Sequence, residues 1–303
     1  MGQQGSRFKK KKRNSISAAD NRASISSFKE EYNFENPYMM TINETQIDRM
    51  QTQHHILRTI WSNNFSAPIK DKLSAGHDYK VLDFGCGPGT FIFDLSSTYP
   101  LPKFIGVDFV PIFPTQVPRN TSFLVANIMD GLPFEDCTFD YIHARFLVMY
   151  FTQEEWENVV IKELSRVLKP GGYLECYDSE IPWYNMSPSL EKLSDAVQRE
   201  LFARNIDPLM SRKIDEFIQA TGEFEDIQKE QKDIPYGSWG GKIGELSAQT
   251  FFQFFEGVRK PIKDIMNIND QGFDKLMKKF ESEINYYHTY GKNHRIVARK
   301  IEC

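Results

Sequence analysis

The sequence predicts an α/β fold with a mostly parallel seven-stranded sheet, helices on both faces and an added helical lid. Three observations carry this expectation. Short apolar, β-branched runs alternate with segments of helical period between Tyr79 and Ile181. No tight hairpin dipeptide joins successive strands, so the connections must be crossovers, which is how parallel sheets with both faces covered are built. Beyond Ile181 the helical period takes over.

The elements follow in order. Thr41 and Glu44 have capping-box spacing, and Ile47, Met50, His54, Leu57 and Trp61 recur at intervals of three and four, predicting an amphipathic helix ahead of the main domain. KVLDFG is a buried strand, Gly85–Gly89 a turn, and Thr90–Ser97 a short helix stopped at Tyr99–Pro100. KFIGVDF, TSFLVAN and FDYIHA are the next strands. Thr152 with Glu155 opens a helix whose apolar side is Trp156, Val159, Val160, Leu164 and Val167, and Pro170–Gly171–Gly172 is expected to end it before the strand YLECYD. Ser187–Pro188 starts a helix with Leu190, Leu193, Val197 and Leu201 on one stripe. Phe217–Ile218 sits on a short helix, and FEDIQKEQKDIPY reads as an exposed, charged strand. Two further helices carry Phe251, Phe254, Phe255 and Val258, then Phe273, Leu276, Phe280, Ile284 and Tyr287; HRIVARK closes the chain as a last strand.

With 303 residues, 40% of them hydrophobic and 14% aromatic, the chain can bury one sizeable core with a second helical layer on it. The expected organisation is a disordered basic arm at 1–35, a cofactor-binding core with its preceding cap helix at 36–180, and a lid or substrate region with the last strands at 181–303. A net charge of −4 leaves no overall electrostatic footprint for nucleic acid. Cys86, Cys137, Cys176 and Cys303 lie far apart with no C-x-x-C spacing, which argues against a zinc knuckle or redox pair and fits a reducing, cytoplasmic compartment. No metal site is expected.

The chemistry-bearing text is the loop Asp83-Phe-Gly-Cys-Gly-Pro-Gly-Thr90, which leaves a buried strand and enters a helix. Gly85, Gly87 and Gly89 let the backbone turn sharply and approach a ligand, because a Cβ would collide or forbid positive φ. Alone, such a cluster is also simply a tight turn. Its spacing is G-x-G-x-G after an acidic residue, not the G-x-G-x-x-G of dinucleotide binding. A cofactor without a pyrophosphate needs no anion cradle, and its ammonium end would suit Asp83 or nearby carbonyls. Asp108, followed by Phe109, ends the next strand at the distance where a carboxylate meets ribose hydroxyls.

With these residues the chain resembles the class I S-adenosylmethionine-dependent methyltransferases, and within them the fungal enzymes related to regulators of secondary metabolism. The text that carries the likeness is E-x-x-x-x-R at Glu44–Arg49, KVLDFGCGPGT, FIGVDFVPIFP, NIMDGLPFEDCTFDYIHARF and IKELSRVLKPGGYLECYD. It is strong over about residues 37–180 and loose beyond. The resemblance implies S-adenosylmethionine as cofactor, on a Rossmann-like class I methyltransferase fold. It also implies that Asn127 and Ile128 flank the adenine and that Ala144 and Arg145 border the methionine end. Cys86 and Pro88 leave no extra hydroxyl in the loop, and Cys86 is read as a small packing residue.

Methyl transfer from a sulfonium is an in-line displacement, helped by alignment, exclusion of water and removal of a proton. His143, Tyr150, Glu175 and Asp178 lie near strand ends where open α/β sheets bind ligands, with His143 and Tyr150 the candidates named as bases. A satisfied structural histidine is the competing reading of His143. Absence of an N/D-P-P-Y/F sequence and of a double-carboxylate hairpin points away from nucleic-acid and protein-arginine acceptors, toward a small molecule or lipid. Trp183, Tyr184, Trp239 and the Phe251–Phe255 cluster are expected either to line an apolar acceptor site or to pack the lid core. A cofactor-binding regulator that works through protein partners is the alternative of a different class.

At the N-terminus, M-G-Q-Q-G-S matches the myristoylation pattern at Gly2, and Lys9–Lys10–Lys11–Lys12–Arg13 follows. One acyl chain binds membrane only marginally, so the basic block would supply the second signal, toward an anionic surface. A nuclear localisation signal and a solvated tail are the competing readings of the same run.

Overall fold

The computed structural model describes residues 39–302. The expectations about Gly2, Lys9–Arg13 and the arm at 1–35 lie outside them. The expected segments 36–180 and 181–303 both fall within one contact unit, Glu35–Cys303.

One sheet of seven strands organises that unit, in the order β3-β2-β1-β4-β5-β7-β6. β1 (Lys80–Phe84), β2 (Lys103–Asp108), β3 (Thr121–Val125), β4 (Phe139–Arg145) and β5 (Leu168–Ser179) run parallel. β7 (Tyr290–Lys300) inserts antiparallel between β5 and β6 (Phe224–Pro235). The charged text of β6 is explained by that place: it is the edge strand and most of its residues are exposed. Strand order reverses between β1 and β4. Their outgoing loops therefore diverge and leave a crevice at the C-terminal ends of the strands, where ligands bind in open α/β sheets.

Helices cover both faces. On one side α1 (Glu44–Trp61) packs through Leu57 and Trp61 with Tyr177 and Ile234, while α2 (Lys70–Ala75) and α3 (Thr90–Thr98) pack with Phe65, Val81, Phe91, Ile92 and Phe104. On the other, α4 (Gln153–Glu155) continues through a π turn (Trp156–Val160) into α5 (Ile161–Val167), with Trp156, Val160, Ile161 and Leu164 buried against β1, β4 and β5. α7 (Ile214–Ala220) joins this face through Phe217 and Ile218. A separate apolar cluster holds the lid: α6 (Pro188–Ala203), α8 (Gly241–Gly257), α9 (Arg259–Met266) and α10 (Asp270–Tyr287) meet around Leu190, Leu193, Phe251, Phe255, Phe273 and Phe280. Among the described residues no helix is long and apolar enough to cross a membrane.

Three local expectations are corrected. α1 is capped by Asn43, whose side chain accepts from Gln46 N at 3.0 Å, not by Thr41. Ile47 and Met50 are only half-buried there, while the polar Gln46 and Arg49 turn inward. Lys169–Pro170–Gly171–Gly172 does not stop a helix in open turn; α5 ends at Val167 and these residues form an irregularity inside β5. The capping box of Thr152 and Glu155 is formed as the spacing predicts.

Candidate functional site

A cavity of about 630 Å³ lies over the crevice, within the size range of small-molecule sites. Its floor is the β1–α3 loop: Gly85, Cys86, Gly87, Pro88 and Thr90 all face it. The loop has this shape because Gly85 (φ +70°) and Gly87 (φ +53°) adopt left-handed backbone, a conformation that disfavours side chains. A Cβ on Gly85 would stand 2.6 Å from Leu147 Cδ2, whereas on Gly87 it would meet only Met50 Sδ, at 3.5 Å. The chain is thus open above Gly87, and α1 roofs that space.

Asp108 closes the next wall. Its Oδ2 accepts Gly87 N–H at 2.7 Å and its Oδ1 accepts Val110 N–H at 2.9 Å. Burial pushes this carboxyl above its ordinary value, and the backbone donors pull it back. A carboxylate offers roughly four acceptor positions. The N–H groups of Gly87, Val110 and Phe109 take three to hold the loop, and one remains for a ribose hydroxyl. Phe109, Asn127 and Ile128 continue the wall; Asn127 Oδ1 accepts Met129 N–H at 3.1 Å and so shapes the turn after β3.

At the other end of the loop, Arg145 and Tyr150 face the cavity. Burial pushes the Tyr150 phenol up to about 12, so it is protonated at neutral pH. Asp178, at the end of β5, also lines the space; its Oδ2 accepts Leu147 N–H at 2.6 Å and Val148 N–H at 3.0 Å. Burial pushes its carboxyl up to about 7 against the pull of those donors. Beyond it stands Glu180, held ionised by Arg212, Tyr184 and His294, with its carboxyl lowered to about 2 by hydrogen bonds that overcome burial. Trp183, Tyr236, Phe251 and Phe254 form the lid-side wall.

Several residues expected at the site stand behind it. Asp83 is buried and does not line the cavity; its Oδ1 meets His143 Nδ1 at 2.8 Å. His143 stacks on Phe91 with ring centroids 3.7 Å apart, buried in the sheet, so the base reading of His143 gives way to the structural one. Ala144 is buried inside β4 and Gly89 turns toward Phe123, so neither borders the cavity. Glu175 accepts from Ser66 and Ala67 N–H and is likewise structural. Cys86 is buried, and desolvation drives its thiol well above the usual range, as suits a packing residue and not a nucleophile. The aromatic expectation divides: Trp183, Phe251 and Phe254 line the cavity, Phe255 is core, and Trp239 is exposed on another surface. The sequence reading passed over Gln46 and Gln53 and used Arg49 only as part of the E-x-x-x-x-R text, with no role at the site; all three are cavity-lining residues of α1. Their signal was present as a polar stripe at helical spacing where an apolar one was sought.

Fold and site together define a class I methyltransferase: the glycine floor, Asp108 and the open space above Gly87 suit a nucleoside cofactor without a pyrophosphate. A methyltransferase-domain family matches residues 81–172. The N-methyltransferase verN of Clonostachys rogersoniana is 31% identical over 288 residues, covering 89% of this chain and 95% of that one. The N-methyltransferase gliN of Aspergillus fumigatus is 23% identical over 262 residues, 82% of this chain and 91% of that one. The secondary metabolism regulator LAE1 of Cochliobolus heterostrophus is 28% identical over 67% of each chain. Among solved structures, a Haemonchus contortus phosphoethanolamine N-methyltransferase 2 bound to S-adenosyl-L-methionine aligns with a TM-score of 0.48 and 18% identity, over 95% of this chain and 61% of that one. The chain belongs to the class I S-adenosylmethionine-dependent methyltransferases, among those related to the secondary-metabolism enzymes. S-adenosylmethionine is its cofactor, and when bound supplies an electrophilic methyl group.

Proposed function

We propose that this methyltransferase acts on a nitrogen of a small, largely apolar acceptor seated against the lid. The observation that carries this reading is the reach of the cavity, which continues from the glycine floor to the wall of Trp183, Tyr236, Phe251 and Phe254. Rings of that kind offer large apolar area with little entropy lost on binding. The nitrogen is supported by verN and gliN, both named N-methyltransferases. In this reading the floor and Asp108 fix the cofactor, the aromatic wall orients the acceptor, and the lid excludes water. An attacking amine must be unprotonated, and Asp178 is the cavity carboxylate suited to receive its proton.

The test is turnover of methyl-labelled S-adenosylmethionine with a panel of apolar secondary amines and amides beside their hydroxyl and thiol isosteres. Labelled product and S-adenosylhomocysteine should appear with nitrogen acceptors. Transfer confined to oxygen or sulfur acceptors, or to phospholipid vesicles, overturns the reading. Tethering to an anionic cytoplasmic membrane surface through an acylated Gly2 and Lys9–Arg13 belongs to the proposal on the sequence pattern alone. A Gly2→Ala fusion that keeps the same membrane distribution would remove it.

A further inference from the structure

Of the three arginines that line the cavity among the described residues, Arg204 is paired with Glu200, while buried Arg49 and half-buried Arg145 differ in what balances their charge. Arg145 Nη1 contacts His54 Nδ1 at 3.1 Å, its guanidinium lies over the Phe91 ring, and the charge of Asp83 supports it. Arg49 has nothing comparable. Its side chain is buried; Nε donates to Gln46 Oε1 at 2.6 Å, Nη1 to Gln53 Oε1 at 3.4 Å, and Nη2 approaches Met40 Sδ at 3.3 Å. Every one of these partners is neutral, and among the described residues no carboxylate is paired with it. Burial weakens its hold on the proton, with Tyr150 the one group opposing that effect.

A guanidinium cannot shed its proton under ordinary conditions, and a buried charge is otherwise paired or strongly destabilising. Its five N–H donors form a planar fork that matches a carboxylate. The contacts above engage one hydrogen on each nitrogen, which leaves one on Nη1 and one on Nη2, the pair that binds a carboxylate side by side. α1 holds this fork at the cofactor floor: Met50, the next residue, is the side chain over Gly87. The helix is also pinned at its N-terminal end, where Gln46 Nε2 donates to Gln253 O in α8 at 2.7 Å and, just before the helix, Thr41 N–H donates to Gly257 O at 2.8 Å. Arg49 therefore sits on a fixed element, one residue from the side chain over Gly87, and lines the same cavity as that loop.

We propose that Arg49 receives the amino-acid carboxylate of S-adenosylmethionine, so that α1 reads the end of the cofactor opposite the adenine. The inference concerns the cofactor and stands apart from the acceptor proposed above; turnover with any acceptor bears on that reading, and cofactor binding alone bears on this one.

The experiment is calorimetric titration of the full chain and of Arg49→Gln with S-adenosylmethionine and with decarboxylated S-adenosylmethionine, which keeps the sulfonium, nucleoside and ammonium. The unmodified protein should bind the carboxylated ligand about 100-fold more tightly, the worth of a buried bidentate charge-assisted pair. In Arg49→Gln that preference should collapse to within about threefold, with the affinity for the decarboxylated ligand nearly unchanged. Arg49→Lys, which keeps the charge without the fork, should recover part of the preference. Equal affinity of the unmodified protein for both ligands overturns the proposal, whatever the variants do. So does an Arg49→Gln protein that weakens both ligands alike, which would mean a structural role for Arg49.

Discussion

Replacing Asp108 by Ala removes a carboxylate that does two things at once, and the geometry separates them. In the fold its Oδ2 and Oδ1 accept Gly87 N–H at 2.7 Å and Val110 N–H at 2.9 Å, and Phe109 N–H also bonds to it, so the variant leaves three loop donors without their acceptor. Toward the cofactor it removes the remaining acceptor position, which would meet a ribose hydroxyl. The hydrogen bond lost is one to a charged group, worth about 1.5–3 kcal/mol. At about 1.4 kcal/mol per tenfold, affinity for S-adenosylmethionine should fall by roughly 10- to 100-fold. Asp108→Asn should fall by a similar amount, since its amide keeps the shape but turns a donor toward either Gly87 or Val110 N–H. Calorimetric titration with S-adenosylmethionine and S-adenosylhomocysteine measures this, since both carry the same ribose. Thermal melting shows separately whether the loop still folds. If Asp108→Ala melts cooperatively and binds either ligand within threefold of the unmodified protein, Asp108 is a loop brace and no part of the cofactor wall.

Two further outcomes follow from the same region. Gly89 has φ +78°, and a Cβ there would lie 2.4 Å from Phe123 Cζ; because that ring is stacked on Phe113 at 4.8 Å, it has little room to withdraw. Gly89→Ala should lower stability by about 1–3 kcal/mol for the backbone and a comparable amount for the clash, read as a lower urea midpoint at unchanged slope; a midpoint equal to that of the unmodified protein would refute it. His54 gives an acid-side prediction. Arg145 Nη1 can only donate, so His54 Nδ1 must accept, and the neutral ring donates from Nε2 to Asp94 Oδ2 at 3.0 Å. Burial first, then the charge of Arg145, lowers the imidazole from 6.5 to about 3. A group depressed in the fold contributes stability that is complete above the unfolded value and lost as pH falls from 6.5 toward 3. Between pH 7.5 and 5.5 the loss should be about 1.4 kcal/mol, absent in His54→Gln; parallel stability–pH curves for the two proteins would contradict this.

Much of this protein is legible from its text because the informative signals are local. The β1–α3 loop needs positive φ at Gly85, Gly87 and Gly89, a demand of the backbone that the residue type announces. Strand and helix periods report which face is buried, which is why Leu190, Leu193, Val197 and Leu201 are all fully buried as their spacing predicts. Asp108 was found because the strand that carries it ends at a set distance from the loop. What was misread depends on neighbours distant in sequence. His143 and Asp83 looked like groups at a strand end; pairing of β1 with β4 sets them side by side, and Phe91 from α3 covers them. The sheet thereby converts two chemistry-bearing residues into packing.

The helix α1 shows the division most sharply. Its existence and length were set by a local period and by polar residues suited to a cap, and these operate within a turn or two of chain. Which of its faces turned inward was not decided there. The apolar stripe through Ile47 and Met50 is half-buried, and Gln46 and Arg49 go inside, because α8 supplies backbone carbonyls for Gln46 and the cavity supplies room for a guanidinium. By itself the sequence determined the fold class, the cofactor loop and Asp108, each of which answers to its own backbone. Only the tertiary structure decided which polar side chains face the cavity and which are spent on the core, because a buried polar group goes wherever partners from the rest of the chain can satisfy it.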